Sequence, residues 1–174
     1  MTNTVLDAIA DRRSIRGYAA QQLSKDQLDA LLKAAVESPS ARNSQPWHFS
    51  VVQNPDILDE INAEAYQNMG REKGDIFYGA PTVIFLSCVA DDRWTRLDCG
   101  IAVQTLALAA HSLGLGSVIL GLPEAAFTGL RGDYFNRRLK FPEGHSFAVA
   151  IAIGVPTTTK DAHPVLPGKI DFAD

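Results

Sequence analysis

Apolar residues recur along this chain in two rhythms, one at every third or fourth position and one nearly continuous, and their alternation lays out the elements. Val5, Leu6, Ile9 and Ala10 follow the helical rhythm with Thr4 as N-cap, which predicts a first helix ending near Arg13. Ser24 and Gln27 form a capping box for a second helix, whose apolar face is Leu28, Leu31, Leu32 and Ala35 and which stops before Pro39. Phe49, Val51 and Val52 read as a strand. Asn54 and Pro55 are N-cap and first residue of a third helix, with Ile57, Leu58 and Ile61 inward. The polar, glycine-flanked stretch 70–74 predicts a mobile loop. Residues 81–89 are continuously apolar and β-branched, as in a central strand buried on both faces. A long helix follows over 97–113, stopped by Gly114 and Gly116. Then come an extended piece at 117–120, a short helix opened by Pro123, another around Tyr134 to Leu139, and a strand over 147–155. The tail beyond Pro156 lacks helical periodicity, but Ile170 and Phe172 alternate with Lys169 and Asp171 as in a half-buried strand. Helices and strands interleave with few tight strand–helix–strand repeats, so the expected class is α+β, with helices on both faces of a small sheet in one domain over 1–174.

Composition narrows the partners. A chain of 174 residues with 46% hydrophobic and 21% charged residues can bury a real core as one soluble domain. The net charge of −4 argues against nucleic acid or an anionic membrane as partner. The apolar stretch 100–120 carries Gln104, Thr105, His111 and Ser112, which suits a buried central helix better than a membrane span. Residues 1–11 show no basic segment followed by an apolar one, so no signal peptide is expected. Cys88 and Cys99 sit in apolar surroundings without metal-ligand spacing. They read as free buried thiols of a reducing cytoplasm.

Two short segments concentrate polar chemistry. Arg12, Arg13, Ser14 and Arg16 place three guanidinium groups and a hydroxyl within five residues, a donor set that suits a phosphate. Pro39, Ser40, Ala41, Asn43 and Gln45 then precede Pro46-Trp47-His48-Phe49; the side-chain amides offer both donor and acceptor to a flat heterocycle. Each has an ordinary reading alone: cations near a helix C-terminus, and a polar turn between helix and strand. Trp47 and Phe49 read as core, His48 and His111 as structural, and His145 as a loop residue. No Walker A, dinucleotide fingerprint, nucleophile elbow or zinc spacing is present.

As a pair, however, the two segments resemble the nitroreductase family, in which an Arg-x-Ser-x-Arg/Lys element ends the first helix and a Pro-Ser-x-x-Asn-x-Gln-Pro-Trp element leads into the first strand. Phe77 to Pro81, Asp98 to Gln104, Gly114 to Ser117 with Leu120 and Gly121, and Ile153 to Pro156 resemble further parts of it, so the likeness spans nearly the whole chain. It implies a mostly antiparallel sheet and a homodimer holding two FMN molecules at the subunit interface, with the C-terminal strand exchanged between subunits. Arg12 and Ser14 would serve mainly the FMN phosphate and Arg16 the ribityl or pyrimidine end, with Arg13 in the same cofactor site. Asn43 and Gln45 would bond the ring, Pro39, Ser40 and Ala41 would come from the partner, and the backbone at Ile119, Leu120 and Gly121 would approach flavin N5. Where many relatives carry a Lys/Arg pair after the Gly-x-Pro, this tail has Lys160 and His163, either of which could complete the phosphate site. The implied activity is ping-pong transfer of electrons from NADH or NADPH to a nitroaromatic, quinone or similar acceptor. The alternatives are a flavin sensor or store, and another reductive chemistry on the same scaffold.

Overall fold

A computed structural model describes residues 4–89 and 93–173. Four strands form one antiparallel sheet: β1 (His48–Val52), β2 (Thr82–Val89), β3 (Gly116–Leu120) and β4 (His145–Gly154), in the order β1-β2-β4-β3. The register runs Val52 to Val83, Ile84 to Ile151, and Ile119 to Ile151. The two middle strands are covered on both sides; the run 81–89 predicts this for β2, whereas 147–155 predicts only a strand for β4. Val83, Phe85, Ala150 and Ala152 point to one face and Ile84, Leu86, Ile151 and Ile153 to the other, in strict alternation.

Each face carries its own helices. On the first pack α3 (Pro55–Asn68), α5 (Glu124–Thr128) and α6 (Gly132–Arg138), through Leu58, Ile61, Ala65, Ala126 and Phe135. Phe127 stacks on Phe147 with centroids 4.9 Å apart and on Phe141 at 5.5 Å, which seals that layer. On the second face lie α2 (Lys25–Val36) and α4 (Arg93–Ser112), with Leu31, Ala35, Ala102, Leu106 and Ala110 inward. The Ser24 hydroxyl accepts from Gln27 N, and the Gln27 side chain accepts from Ser24 N at 2.9 Å, so the predicted capping box forms. The Asn54 side chain caps α3 with Pro55 at its start, also as predicted. Among the described residues no helix is long and apolar enough to cross a membrane.

Two expectations need correction, and a third segment, the tail, finds no strand neighbour among the described residues of its own chain. The first helix, α1 (Thr4–Asp11), stops two residues before Arg13, and Thr4 is already helical; the position before it lies outside the described residues. Helix α4 begins at Arg93, a full turn before the predicted start, because its first turn is mostly polar and its one large apolar residue, Trp94, is exposed and outside the core face. The segment 169–172 forms no strand within this chain, where Ile170 and Phe172 are 78% and 91% exposed.

Candidate functional site

After α1 the chain runs beside β3 as an extra short strand. Ile15 N donates to Ser117 O at 2.9 Å and Ser14 bridges Ser117 in parallel. Beyond Arg16 the contact passes to the end of β4, where Ala19 N donates to Val155 O and Thr157 N to Gly17 O. A Cβ at Gly17 would stand 2.6 Å from the Thr158 methyl, so any side chain here would have to displace that of Thr158. Tyr18 donates its hydroxyl to Ile15 O at 2.6 Å; burial pushes the phenol well above its ordinary range, so it remains a donor at any physiological pH. The Arg-x-Ser-x-Arg segment is thereby fixed by its backbone, which leaves its side chains available.

Those side chains divide. The Arg13 guanidinium folds back onto the Ala10 and Arg12 carbonyls at 2.5 and 3.0 Å, closing the free C-terminal end of α1. Arg16 lies over the Tyr78 ring, 5.6 Å from its centroid. Arg12, with Arg13, lines a cleft of about 370 Å³ whose wall also includes His111, Gly116, Ser117 and Lys160. Among the described residues Asp11 is the only acid in that wall, and no carboxylate pairs with Arg12, Arg13 or Lys160. The cleft is therefore net cationic and suited to a phosphate-sized anion. His163 is not in the wall, so of the two tail candidates Lys160 is the one brought to it. His111, expected as a core histidine, is half-buried on the same wall. From Ser117, β3 carries the chain about 10 Å to Leu120, past Ile119, which is 39% exposed, and on to Gly121, where a side chain would meet open space.

The second motif is built on α4. Ser38 donates to the Thr105 hydroxyl at 2.9 Å, and Ala41 N donates to both carboxylate oxygens of Asp98 at 3.1 and 3.2 Å. A 3-10 turn follows at Ala41–Asn43, with Arg42, Asn43 and Gln45 all left-handed at φ 57°, 53° and 46°. Such backbone is unfavourable for non-glycine residues unless its surroundings hold it. Here Gln45 N donates to Ser40 Oγ at 2.9 Å and the Gln45 amide donates to Asn43 Oδ1 at 3.1 Å. Asn43 and Gln45 are exposed, Pro39 is exposed beside them, and Trp47 and Phe49 turn inward as a tilted pair.

Within one chain the two motifs do not meet. The amide loop rests on Asp98 near the start of α4, and the cationic cleft rests on His111 at its end. Thirteen residues of helix separate them, about 20 Å at 1.5 Å per residue. Between and beside them α4 exposes Trp94, Leu97 and Ile101 in one row at helical spacing. Sequence reasoning passed over Asp98 as a binding-site residue; its signal was the single acid of α4, with Thr105 seven residues on.

Elsewhere, Cys88 and Cys99 are both buried and free. The Cys99 thiol donates toward the Cys88 sulfur, which lowers Cys88 and raises Cys99. Among the described residues no cluster of His, Cys, Asp and Glu could hold a metal ion.

Comparison with known proteins identifies the family and the fold. Residues 9–155 match the model of the Nitroreductase family. A protein of Archaeoglobus fulgidus, provisionally named NADH dehydrogenase/NAD(P)H nitroreductase, is 35% identical over 164 residues, 90% of this chain and 87% of that protein. A protein of the same provisional name from Methanothermobacter thermautotrophicus is 40% identical over 124 residues, 68% of this chain and 61% of its own length. Among solved structures, a nitroreductase with bound FMN from Desulfitobacterium hafniense superposes with a TM-score of 0.93 at 34% identity, each chain wholly covered. One with bound FMN from Bacteroides fragilis gives 0.90 at 28% identity over 99% of this chain and 100% of that one.

Proposed function

The chain belongs to the nitroreductase family, and from that premise we propose that it is an FMN-dependent oxidoreductase that takes electrons from NAD(P)H and passes them to a flat acceptor such as a nitroaromatic or quinone. The observation that carries the reading is the cationic cleft beside β3, where Arg12 and Lys160 face about 370 Å³ of space without a carboxylate partner among the described residues. That donor set fits a phosphate monoester. The open end of β3 at Ile119 and Gly121 lies about a strand's length away, where a planar ring could rest on backbone.

When bound, FMN supplies the two-electron chemistry; the chain's residues bind and orient it. Arg12, Ser14 and Lys160 would hold the phosphate, with Arg13 behind them on the end of α1. Arg16 would meet the ribityl or pyrimidine end, and the backbone at Leu120 and Gly121 the reacting edge of the ring, which would explain why no catalytic acid or base stands out in the sequence. Asn43 and Gln45, with Pro39, Ser40 and Ala41, would complete the site from a partner subunit. Two observations support this assembly: the motifs stand about 20 Å apart in one chain, and the Trp94, Leu97 and Ile101 row of α4 is exposed. Antiparallel packing of two α4 helices would lay the loop end of one against the cleft end of the other and cover both rows.

The tail belongs to the same reading. The outer edge of β3 is occupied by the segment holding Ser14, whereas β1 is an edge strand bordered by a groove of about 480 Å³ between Ser50, Gln53 and Lys140. Residues 169–172 of the partner would add there as a strand, burying Ile170 and Phe172.

An absorbance spectrum of the purified protein tests the cofactor: two visible flavin bands are expected, bleached by NADH or NADPH without oxygen and restored by a quinone. A colourless protein that takes up no FMN overturns the proposal, and bound flavin that neither nicotinamide reduces turns it into a store or sensor. Parallel double-reciprocal plots are expected for the two substrates, because donor and acceptor use the site in turn.

A further inference from the structure

We infer that Asp98 is a positioning residue for the flavin: it fixes the loop that presents Asn43 and Gln45, and so sets the fit at the ring end of the site. The inference rests on the reading of that loop as part of the FMN site. Asp98 is 3% exposed, yet both its oxygens accept from one backbone N–H, that of Ala41, and among the described residues no other donor or cation reaches it. Burying a carboxylate is unfavourable unless its bonds compensate, and an apolar residue would serve the packing of α4 better. The acid is therefore explained by what it holds. Thr105 lies two turns further on the same helix face, about 10 Å along the axis, and takes the Ser38 hydroxyl. From Ser38 to Ala41 the chain spans three residues, also about 10 Å when extended, and Ser40 is extended at φ −138°, ψ 154°. The two anchors thus stretch the segment 38–41 along α4, antiparallel to it. Immediately past the Asp98 anchor come the three left-handed residues, whose conformation has no glycine to ease it. Release at Ala41 frees that strain and lets both amides move.

The experiment titrates full-length apoprotein with FMN and with riboflavin, for wild type, Asp98→Asn, Asp98→Ala, Ala41→Pro and the Asp98→Ala/Ala41→Pro double variant. Asp98→Asn keeps an acceptor oxygen and stays within a few-fold of wild type. Asp98→Ala and Ala41→Pro each weaken both flavins by roughly tenfold or more, since a charge-assisted bond is lost. Because the effect lies at the ring end, the ratio of FMN to riboflavin affinity is unchanged and the visible flavin bands of the complex shift. The double variant is no weaker than the worse single one, because the two changes remove the same bond. Wild-type affinity in Asp98→Ala, or additive losses in the double variant, overturns the inference. Should Asp98→Ala not fold, Ala41→Pro carries the test, as proline is tolerated at the start of a helical turn and wild-type affinity there is equally fatal. A wild-type protein that takes up neither flavin overturns the proposed function itself; normal wild-type uptake with an unaffected Asp98→Ala overturns this inference alone.

Discussion

Arg12 and Arg13 are adjacent and chemically identical, yet the structure gives them different work. Arg13 satisfies carbonyls at the end of α1, and Arg12 faces the cleft without a carboxylate partner among the described residues. Arg12→Ala and Ser14→Ala are each expected to weaken FMN by roughly tenfold or more, the equivalent of about 1.5–3 kcal/mol for a charge-assisted bond. Riboflavin, which lacks the phosphate, should lose much less, and thermal melting should barely change. Equal FMN affinity in both variants removes the phosphate assignment. A second residue-scale expectation concerns acid. Burial holds His145 below its ordinary value, with His48 adding repulsion, although its contact with Ser87 works the other way. The unfolded chain then binds the proton more readily than the folded one. The contribution of His145 to stability is thus complete above about pH 6.5 and is lost as pH falls through the lower folded value. The melting temperature of His145→Gln should accordingly decline less between pH 7 and pH 5 than that of wild type. Parallel declines would show that His145 is not the group responsible.

At the scale of elements, legibility followed locality. The capping box of α2 and the Asn54-Pro55 start of α3 need only three or four neighbouring residues, and both appear as read. The run of β2 showed its double burial because six of its eight positions are apolar and fall on both faces, with only Thr82 and Ser87 polar. Helix α4 was read a turn short since Trp94, Thr95 and Arg96 serve the loop side and the surface instead of the core. The site was legible as two chemical lists. That Arg13 would cap its own helix, or that Asp98 would anchor Ala41, depends on distances that residue types do not encode. The tail is the element least explained by its own chain, since the alternation of Ile170 and Phe172 describes a strand with no neighbour in it. Truncation after Pro167 should therefore lower the dimer's melting temperature and its flavin content, with the far-ultraviolet circular dichroism of the helices preserved. A truncated protein that stays dimeric, melts as before and keeps all its flavin would falsify the strand addition and leave the tail a solvated extension.

The whole molecule is expected to be an obligate dimer, because α4 exposes its apolar row at the place where the two motifs need to be joined. Sedimentation at micromolar concentration should show a dimer when flavin is bound, and Leu97→Asp should shift it toward monomer and release FMN. A loaded monomer would refute the assembly. The separation of the motifs along α4 also has a genetic consequence. If each site draws its cleft from one chain and its amide loop from the other, a chain spoiled at Arg12 and a chain spoiled at Asn43 are not equivalent losses. Each forms an inactive homodimer by itself. Unfolded together and refolded, they pair at random, and half of the pairs are mixed. A mixed pair gathers both lesions into one site and leaves the other wild type, so about a quarter of all sites should regain activity. Two dead alleles would then complement each other, whereas two lesions in the same motif never could.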